Sequence, residues 1–384
     1  MTLLRHHLAR PLCLIAVALC SLLHNATGKT ITIGFSGPLS GVSQAYGLSL
    51  RNAVQLAIDE TNQKAVTIEG QRVNFKLLAQ DDRQDANMAT TVARYLVKSD
   101  VVVVIGNTNT TNSMLTAPIF DTAHLAHISP ATSGPEFTRM GHRSSFRAIG
   151  HDEQAVRCLV PILLNDMHLE KFAIISTQSS FGIGISKLFQ QVLMEKSMPV
   201  RLRESISGRT YDFNNVLDRI KAAHIELIFF AGGAEQAAML ARSMKRKNVQ
   251  ARLVSAMAGV ASVNFLQNAE DASEGVMALE YGRPPEKMPG WKKFMTSYNK
   301  AYTDNINPFT VVAYDATKLV IEAIRRANST DRAGIVNQLH QIKYNGVSGL
   351  ISFDQHGDLI NPDFTLYEVK NQQWRVVKTI QAVP

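Results

Sequence analysis

Residues 31–62, ITIGFSGPLSGVSQAYGLSLRNAVQLAIDETN, decide the fold of this chain. The first five residues are mostly apolar and predict a buried strand, and the serine- and glycine-rich stretch after them predicts a polar turn. From about Gly47 onward, apolar residues recur at helical spacing and predict a helix. A strand that leads into a helix through such a turn forms a βα unit. The loop of this unit lies at the edge of the sheet where open α/β folds bind small ligands.

The same alternation of strand and helix patterns continues to about residue 282. The continuous apolar runs VVVVI and ELIFFA are typical of strands covered on both faces, as in parallel sheets flanked by helices. After residue 282 the pattern becomes mainly helical, and the chain closes with a hairpin predicted to turn at Asn371 and Gln372. Strands are predicted at 31–35, 73–79, 101–105, 126–129, 145–148, 171–176, 200–206, 226–231, 252–256 and 276–281. Helices are predicted at 47–63, 85–98, 112–123, 152–168, 183–197, 213–223, 234–247, 290–303, 308–327 and 331–342.

The first 28 residues have the charge and hydropathy pattern of a secretory signal. Arg5 and Arg10 precede an apolar run, residues 12–23, that is too short to span a bilayer, and small residues lead up to a predicted cleavage after Gly28. Acylation of Cys20 is the alternative, but the bulky residue before it fits a lipoprotein site poorly. The sequence therefore predicts a periplasmic protein, secreted through a cleavable signal peptide, whose mature chain is long enough for two lobes.

Charge and cysteine content exclude several classes of function. The formal net charge of +8 is scattered, and the one basic run, residues 244–247, ends a predicted helix without the interleaved aromatic residues of a nucleic-acid site. Cys158 is the only cysteine outside the signal, so an internal disulfide is excluded, and its apolar neighbours predict a core position. No later segment is long and apolar enough to span a membrane. We therefore expect neither a nucleic-acid partner nor a membrane span.

Enzyme motifs are also absent from the sequence. It has no Gly-x-Ser-x-Gly elbow, no His-Glu-x-x-His pair and no Walker loop. The stretch 181–184, FGIG, lacks the third glycine of a dinucleotide fingerprint and is better explained as a tight strand–helix turn. His124 and His127 have no cysteine or carboxylate cluster beside them, which disfavours a metal site, and the acidic stretch 81–85 is interpreted as a strand end and a helix cap. We therefore expect no enzyme activity, no cofactor and no metal.

Two hydroxyl-rich loops remain as candidates for a ligand site. Residues 107–112, NTNTTN, follow the predicted strand VVVVIG, and residues 129–135, SPATSGP, follow the predicted strand AHI. The amino end of a helix beside such a loop offers free N–H groups to an anion, and threonine and serine hydroxyls add further donors. Ordinary strand–helix loops are also rich in these residues, so each loop alone is weak evidence. Their joint occurrence in an exported chain indicates a site for a carboxylate.

With these loops and several further motifs, the chain resembles the type I periplasmic solute-binding proteins, specifically the leucine/isoleucine/valine-binding protein family. The resemblance extends over essentially the whole mature chain and implies two Rossmann-like lobes, each a parallel sheet flanked by helices, joined by three crossovers. It implies that a ligand binds in the cleft, that the lobes close by hinge bending, and that the solute passes to an inner-membrane ABC permease. A monomer is expected. The motifs are IGFSGPLSG at 33–41, DD at 81–82, VVIG with the hydroxyl loop after it, ISPATSGPE at 128–136, FGIG at 181–184, FAGG at 230–233 and ISFDQHGDL at 351–359.

The resemblance places candidate ligand residues in both lobes. The first lobe is predicted to consist of residues 29–149 and 281–360, and the second of residues 150–280 and 361–384. The hydroxyl loops are implied to hold the ligand carboxylate by side chains and backbone, and aromatic residues are implied to form the walls, although these aromatics could equally be lobe core. The implied carboxylate-binding residues are Asn109, Thr110, Ala131, Thr132 and Ser133, and the implied aromatic walls are Tyr46, Phe181 and Phe309.

The second lobe departs from the family pattern at two positions. Ala258 stands where amino-acid-binding members have an acidic residue that pairs with the ligand ammonium, and Gly233 stands where a tyrosine is expected. A buried ammonium without a countercharge is costly, so a carboxylate- or amide-bearing ligand without a free α-amine is predicted unless Glu235 or Glu280 supplies the charge. The sequence thus predicts the solute-binding component of an amino-acid-type ABC importer. The alternative is a periplasmic receptor subunit that reports its ligand to a signalling partner.

Overall fold

The computed structural model describes residues 28–207 and 210–382. The predicted signal peptide, including Cys13 and Cys20, therefore lies outside the described residues except for Gly28. Within the described part of the chain, no helix is both long and apolar enough to cross a membrane.

Six strands form the first sheet. They are β1 (Lys29–Gly37), β2 (Val66–Ile68), β3 (Gln71–Asp81), β4 (Val101–Gly106), β5 (Ala126–Ser129) and β6 (Ser145–Arg147). Their order in the sheet is β2-β3-β1-β4-β5-β6. The strands from β3 to β6 run parallel, while β2 pairs antiparallel with β3 in a short hairpin that the sequence patterns did not predict. Every residue of β4 is buried, as its continuous apolar run indicated.

The helices of the first lobe come from two separate parts of the chain. The early ones are α1 (Gln44–Asn62), α2 (Ala86–Lys98), α3 (Thr110–Thr122) and α4 (Glu136–Arg139). The late ones, which follow the strands of the second sheet in the sequence, are α10 (Trp291–Ala301), α11 (Thr310–Ala327) and α12 (Arg332–Leu339). Helix α11 packs against α1, and α12 packs against β5, so the late helices return to the first sheet.

Seven strands form the second sheet. They are β7 (Phe172–Thr177), β8 (Val200–Ile206), β9 (Leu227–Ala231), β10 (Arg252–Ala256), β11 (Met277–Tyr281), β14 (Asp363–Lys370) and β15 (Gln373–Gln381). Their order is β15-β14-β11-β10-β9-β7-β8. The strands β7 to β11 run parallel to one another, whereas β14 pairs antiparallel with both β11 and β15. The predicted hairpin turn at Asn371 and Gln372 is confirmed, since these two residues separate β14 from β15.

The helices of the second lobe follow the predicted pattern with two differences, the first of which is the short helix Val263–Ala269, which was not predicted. The helices are α5 (Asp152–Pro161), α6 (Ser180–Glu195), α7 (Asn214–Ala222), α8 (Ala234–Arg246) and α9 (Val263–Ala269). A single helix was predicted over 152–168, but the α-helix ends at Pro161, and residues Ile162–Asp166 form a π-helical turn. A two-stranded ribbon, β12 (Tyr344–Asn345) and β13 (Leu350–Ile351), lies outside both main sheets.

The chain passes between the two sheets three times, at residues 148–151, 282–290 and 352–362. These crossovers contact one another. The Tyr281 hydroxyl donates to the Ala148 carbonyl at 3.2 Å, and the Gly282 N–H donates to the Asp363 carbonyl at 2.7 Å. A Cβ added at Gly150 would lie 2.4 Å from the ring of Phe364, so the crossovers meet without room for a side chain there. Two α/β lobes joined by three crossovers confirm the predicted fold class.

Candidate functional site

Several of the candidate residues lie near two positions where the order of strands reverses. In the first sheet the chain proceeds from β1 to β3 on one side and to β4 on the other, and in the second sheet it proceeds from β7 to β8 and then to β9 on the opposite side. Loops at the carboxyl ends of such strand pairs diverge and leave a crevice, which is the usual ligand site of open α/β sheets. The loops after β4, β7 and β9 carry several of the candidate residues.

The loop after β4 leads directly into α3 and contains two of the candidates. The Asn109 side chain caps this helix, since its oxygen accepts from the Asn112 N–H at 2.8 Å. Thr110 is half-buried, and its hydroxyl oxygen accepts from the Gly134 N–H at 3.1 Å. A hydroxyl that accepts in this way can still donate its proton. Thr110 therefore both joins the two hydroxyl loops and keeps a donor for a ligand.

Two buried polar atoms of the same segment have no hydrogen-bond partner among the described residues. They are Oγ1 of Thr108 and Nδ2 of Asn112, whose residues are 4% and 1% exposed. Buried polar atoms in native proteins are nearly always paired, with protein or with an ordered molecule. Unpaired donors beside Thr110 are therefore consistent with a polar ligand or water at this loop.

The loop after β5 contains three candidates that differ in what their side chains contact. Ala131 is half-buried. The Thr132 side chain is fully buried, and its hydroxyl lies 2.6 Å from the Ser113 hydroxyl and 2.7 Å from the Ser129 hydroxyl. Ser133 is buried, and its carbonyl accepts from the Asp152 N–H at 2.8 Å. The expected role of Thr132 changes accordingly, because a hydroxyl engaged inside the lobe shapes the loop and does not face a ligand.

Two of the three aromatic candidates lie together in the first lobe. The rings of Tyr46 and Phe309 are half-buried and meet edge to face, with centroids 6.2 Å apart. Burial raises the pKa of the Tyr46 phenol, and the nearby Asp82 carboxylate raises it further, so this hydroxyl remains a donor. Tyr46 and Phe309 therefore form one aromatic surface near the hydroxyl loops.

Phe181 lies across the cleft, in the first turn of α6. The residue before it, Ser180, has its hydroxyl 3.4 Å from the hydroxyl of Thr111 in the first turn of α3. The amino ends of two helices, one from each lobe, thus meet at this point. Gly182 packs tightly behind them, since an added Cβ would lie 2.3 Å from the Thr177 hydroxyl oxygen, and this supports the tight-turn interpretation of the FGIG stretch.

The second-lobe wall offers no exposed carboxylate at the positions where the family pattern has one. Gly233 is exposed at the amino end of α8, and Ala258 is half-buried in the loop after β10. Behind this loop lies the buried Glu280, whose carboxylate accepts from the Ala261 N–H at 3.4 Å. Burial raises the pKa of Glu280 to about 7. The Glu280 carboxylate is therefore engaged in holding the loop that carries Ala258.

Asn107 is a positioning residue that the sequence analysis did not single out. Its backbone N–H donates to Nε2 of His127 at 3.0 Å, its amide group donates to Asp82 at 2.9 Å, and its carbonyl accepts from Ser129 at 2.7 Å. Burial lowers the pKa of His127 to about 3, so the ring is neutral and Nε2 is an acceptor. Asn107 thus connects both hydroxyl loops to the strands beneath them.

The acidic stretch 81–85 ends β3 and caps the next helix, as predicted. Asp81 is the last residue of β3, and Asp85 caps α2 by accepting from the Met88 N–H at 2.8 Å. Asp81 also accepts from the Leu39 N–H at 2.8 Å, and Asp82 accepts from Asn107. These further contacts, which the sequence analysis did not predict, join the loops after β1 and β4 to the end of β3.

A group of buried charges lies under the loop after β5. Arg147 is fully buried and forms an ion pair with Asp358, with Nε and Oδ1 2.6 Å apart. Asp152 is 2% exposed, and its Oδ1 has no partner among the described residues. Burial is the main cause that raises the pKa of Asp152 to about 7, although the Ser133 hydroxyl and Arg147 lower it. Neither Arg147 nor Asp152 had a recognisable sequence signature.

Asp152 gives the first testable expectation, a pH dependence of stability. Since the folded state holds this proton more tightly than the unfolded state, the free energy of unfolding contributed by Asp152 falls as pH rises from about 4 to about 7. Each unit of pKa difference corresponds to about 1.4 kcal/mol. The free energy of unfolding of Asp152→Asn, measured by chemical denaturation relative to the wild type, should therefore be higher at pH 8 than at pH 4.

Asp100→Asn, at an exposed carboxylate, is the matched control and should show no such gain. An equal stability difference between Asp152→Asn and the wild type at both pH values would contradict the assignment of a protonated Asp152 in the folded state.

Two further features of the described residues concern metal ligands and cavities. Among the described residues, no group of three or more histidine, cysteine, aspartate or glutamate side chains could hold a metal ion. Two cavities, of about 420 and 210 Å³, lie away from the hydroxyl loops. The larger is lined partly by Cys158, which is half-buried and whose thiol pKa is raised by burial to about 11, so the thiol is not activated.

Comparisons with known proteins find relatives over nearly the whole chain. The family model for periplasmic binding proteins matches residues 30–373. The leucine-, isoleucine-, valine-, threonine- and alanine-binding protein of Pseudomonas aeruginosa is 26% identical over 345 residues, or 90% of this chain and 91% of that protein. A leucine-binding protein from Thermotoga maritima shares the fold with a TM-score of 0.80 at 22% identity, covering 91% of this chain and 98% of the other. An ABC transporter solute-binding protein from Rhodopseudomonas palustris, solved with p-hydroxybenzoic acid, has a TM-score of 0.79 at 19% identity, covering 93% and 98%.

Proposed function

This chain belongs to the periplasmic binding protein family, and from that premise we propose that it is the solute-binding component of an amino-acid-type ABC importer. In this proposal it captures a small carboxylate- or amide-bearing ligand between its lobes by hinge closure, acts as a monomer without enzyme activity, and delivers the ligand to an inner-membrane permease. The named relatives bind amino acids or an aromatic acid, which supports a small organic ligand but leaves its side chain to be determined.

One observation carries the proposal: the two hydroxyl loops of the first lobe are joined at the amino end of α3. Thr110 links them through the Gly134 N–H, and unpaired donors from Thr108 and Asn112 lie in the same segment. A helix amino end with free donors favours an anion, and these donors are neutral. A ligand carboxylate at this helix end would accept from the half-buried Thr110 hydroxyl without requiring a charged side chain of the protein.

The remaining wall of the cleft suits an uncharged ligand body. Tyr46 and Phe309 present an aromatic surface in the first lobe, Phe181 lies on the opposite lobe, and Gly233 and Ala258 add no charge. Ligand pockets are mostly apolar with a few placed polar groups, and this arrangement has that composition. We therefore propose that the ligand has a carboxylate or amide at one end and an apolar or aromatic body.

Export is part of the same proposal. The family implies a location outside the cytoplasm, and the sequence pattern of the first 28 residues is that of a cleavable secretory signal. Intact mass of the periplasmic protein should show loss of about 28 residues and no lipid, whereas a diacylglyceryl mass on Cys20 would contradict it.

A thermal-shift screen tests the binding function. The mature protein, refolded to remove bound ligand, is heated with amino acids, their amides and keto acids, and aromatic acids. A ligand present at 100 times its dissociation constant adds about 2.7 kcal/mol to the free energy of unfolding and raises the melting temperature by several degrees. At least one carboxylate or amide should give this shift. No shift from any of the four classes would contradict the proposal.

A further inference from the structure

Arg147, the last residue of β6, connects three separate parts of the chain. Its guanidinium donates to the carbonyls of Thr132 at 3.0 Å and Gly134 at 2.9 Å. It also donates to the Thr138 hydroxyl of α4 at 2.8 Å and to the Asp358 carboxylate of the third crossover at 2.6 Å. A single buried side chain thus joins the loop after β5, the helix that follows it, and a segment that links the two lobes.

The third crossover is attached to β6 by its backbone as well. The Arg147 N–H donates to the Gly357 carbonyl at 2.9 Å. Gly357 has a φ of +88°, and an added Cβ would lie 2.1 Å from the Ser145 carbonyl oxygen, so the crossover lies directly on the strand. Asp358 also accepts from the Thr138 hydroxyl at 2.9 Å. The Asp358 carboxylate is therefore fixed by two donors from the side of the loop.

The loop is attached to the first crossover by separate contacts. The Ala148 N–H of the first crossover donates to the Ser129 carbonyl at 2.9 Å, and the Asp152 N–H, just after that crossover, donates to the Ser133 carbonyl at 2.8 Å. Residues 129–135, which the proposed function places against the ligand, are consequently bound to two of the three crossovers. The same buried hydrogen-bond network therefore contains the loop at the ligand and the third crossover, which must bend when the lobes close.

We propose that Arg147 and Asp358 position residues 131–134 relative to the third crossover, so that this loop and the crossover open and close as one unit. The planar guanidinium is required because several N–H groups must reach three segments at once, which an ammonium group does not reproduce. Removing the Asp358 charge leaves a buried guanidinium without its countercharge and releases the crossover. The role in ligand binding rests on the proposed function, but the coupling itself is a property of the ligand-free protein.

Hydrogen exchange of the ligand-free mature protein tests the coupling. Arg147→Lys and Asp358→Asn should each speed amide exchange at least tenfold in residues 131–134 and, to a similar extent, in residues 354–358. Arg332→Lys is the matched control, because Arg332 is a part-buried arginine that likewise donates to backbone carbonyls, those of Val97, Ser99 and Val101, in the same lobe. It should leave both segments unchanged.

Three results would overturn the proposal. One is faster exchange in only one of the two segments, another is the same effect in Arg332→Lys, and the third is no change in either segment. If Arg147→Lys fails to fold, Asp358→Asn alone decides, because it keeps the guanidinium and its contacts to the loop carbonyls. Since no ligand is added, failure of this test is distinguishable from failure of the proposed binding function.

The distribution of distances between spin labels on the two lobes is a second measurement, and a loss of stability alone would not change it. Leu115 and Ile183 are exposed on α3 and α6, and can be replaced by cysteine in a Cys158→Ala background. In the ligand-free protein, Arg147→Lys should broaden the distribution of distances between the labels, while Arg332→Lys should reproduce the parent distribution. An Arg147→Lys distribution identical to that of the parent would contradict a link to the hinge.

Discussion

Calorimetry on refolded, ligand-stripped protein is expected to show that 4-methyl-2-oxopentanoate binds about 100-fold more tightly than leucine. The two molecules share the carboxylate and the branched body, and differ only in the α-carbon substituent. Ala258 stands where an acid would pair with the leucine ammonium, and the buried Glu280 carboxylate accepts from the Ala261 N–H behind it. A buried charge without a partner costs several kcal/mol, and a factor of 100 corresponds to about 2.8 kcal/mol.

Ala258→Glu is the variant that sharpens this prediction. A carboxylate at a half-buried position of the second-lobe wall should supply the missing countercharge and strengthen leucine binding at least tenfold, while it weakens binding of the keto acid. Micromolar or tighter binding of leucine by the wild type would contradict the uncharged-wall proposal. It would also direct attention to Glu235, exposed in the first turn of α8, and to Glu280 as sources of the countercharge.

Thr110→Ala is expected to weaken ligand binding by about 1.5–3 kcal/mol, the range for a hydrogen bond to a charged group. The same change removes the acceptor of the Gly134 N–H, so some loss of stability in the ligand-free protein is also expected. Thr110→Ser distinguishes the contribution of the hydroxyl from that of the methyl group, because it removes only the methyl group. It keeps the acceptor and the donor, and should retain most of the affinity in calorimetric titration.

Thr122→Ala provides the control from the other end of the same helix. Thr122 is exposed, and its hydroxyl donates to the Pro118 carbonyl at 2.8 Å, far from the amino end of α3. Its replacement should leave affinity unchanged. Equal affinities of Thr110→Ala and the wild type for the cognate ligand would show that this loop is only a strand–helix connection.

The strand and helix pattern could be predicted because it depends on local periodicity. VVVVI is a fully buried strand, ELIFFA contains β9, and the hairpin turns at the predicted pair of residues. The short strand β2 was missed because three residues carry too little periodicity to distinguish a strand from a turn. The loops that carry Thr110 and Ser133 were also predictable, since both follow strong strand patterns.

The orientation and partners of side chains within those loops could not be read from the sequence. Thr132 and Ser133 are adjacent and chemically alike, yet the Thr132 hydroxyl bonds to Ser113 and Ser129, whereas Ser133 meets Asp152 through its backbone carbonyl. Arg147 meets Asp358 across 211 residues of chain, a distance that no local pattern encodes. The Asp82 carboxylate likewise meets its partner Asn107 across 25 residues, a contact that the sequence analysis did not predict.

The crossovers determine how the lobes can move. They contact one another through Tyr281 and Ala148, and Gly150 leaves no space against Phe364, so bending at this point requires the three segments to rearrange together. The lobe limits at 149, 280 and 360 remain predictions about which residues move as a body. Hinge closure of two rigid lobes over a ligand is an established form of domain motion, and the ligand stabilises whichever form it binds better.

Small-angle scattering of the mature protein, with and without the ligand that gives the largest thermal shift, tests the central claim of capture by closure most directly. The samples with ligand contain it at 100 times its dissociation constant, so that nearly all protein molecules are occupied. We predict a smaller radius of gyration with ligand than without it, and a smaller change in Thr110→Ala at the same ligand concentration. Identical scattering profiles of the free and saturated wild-type protein would contradict a cleft that closes on its ligand.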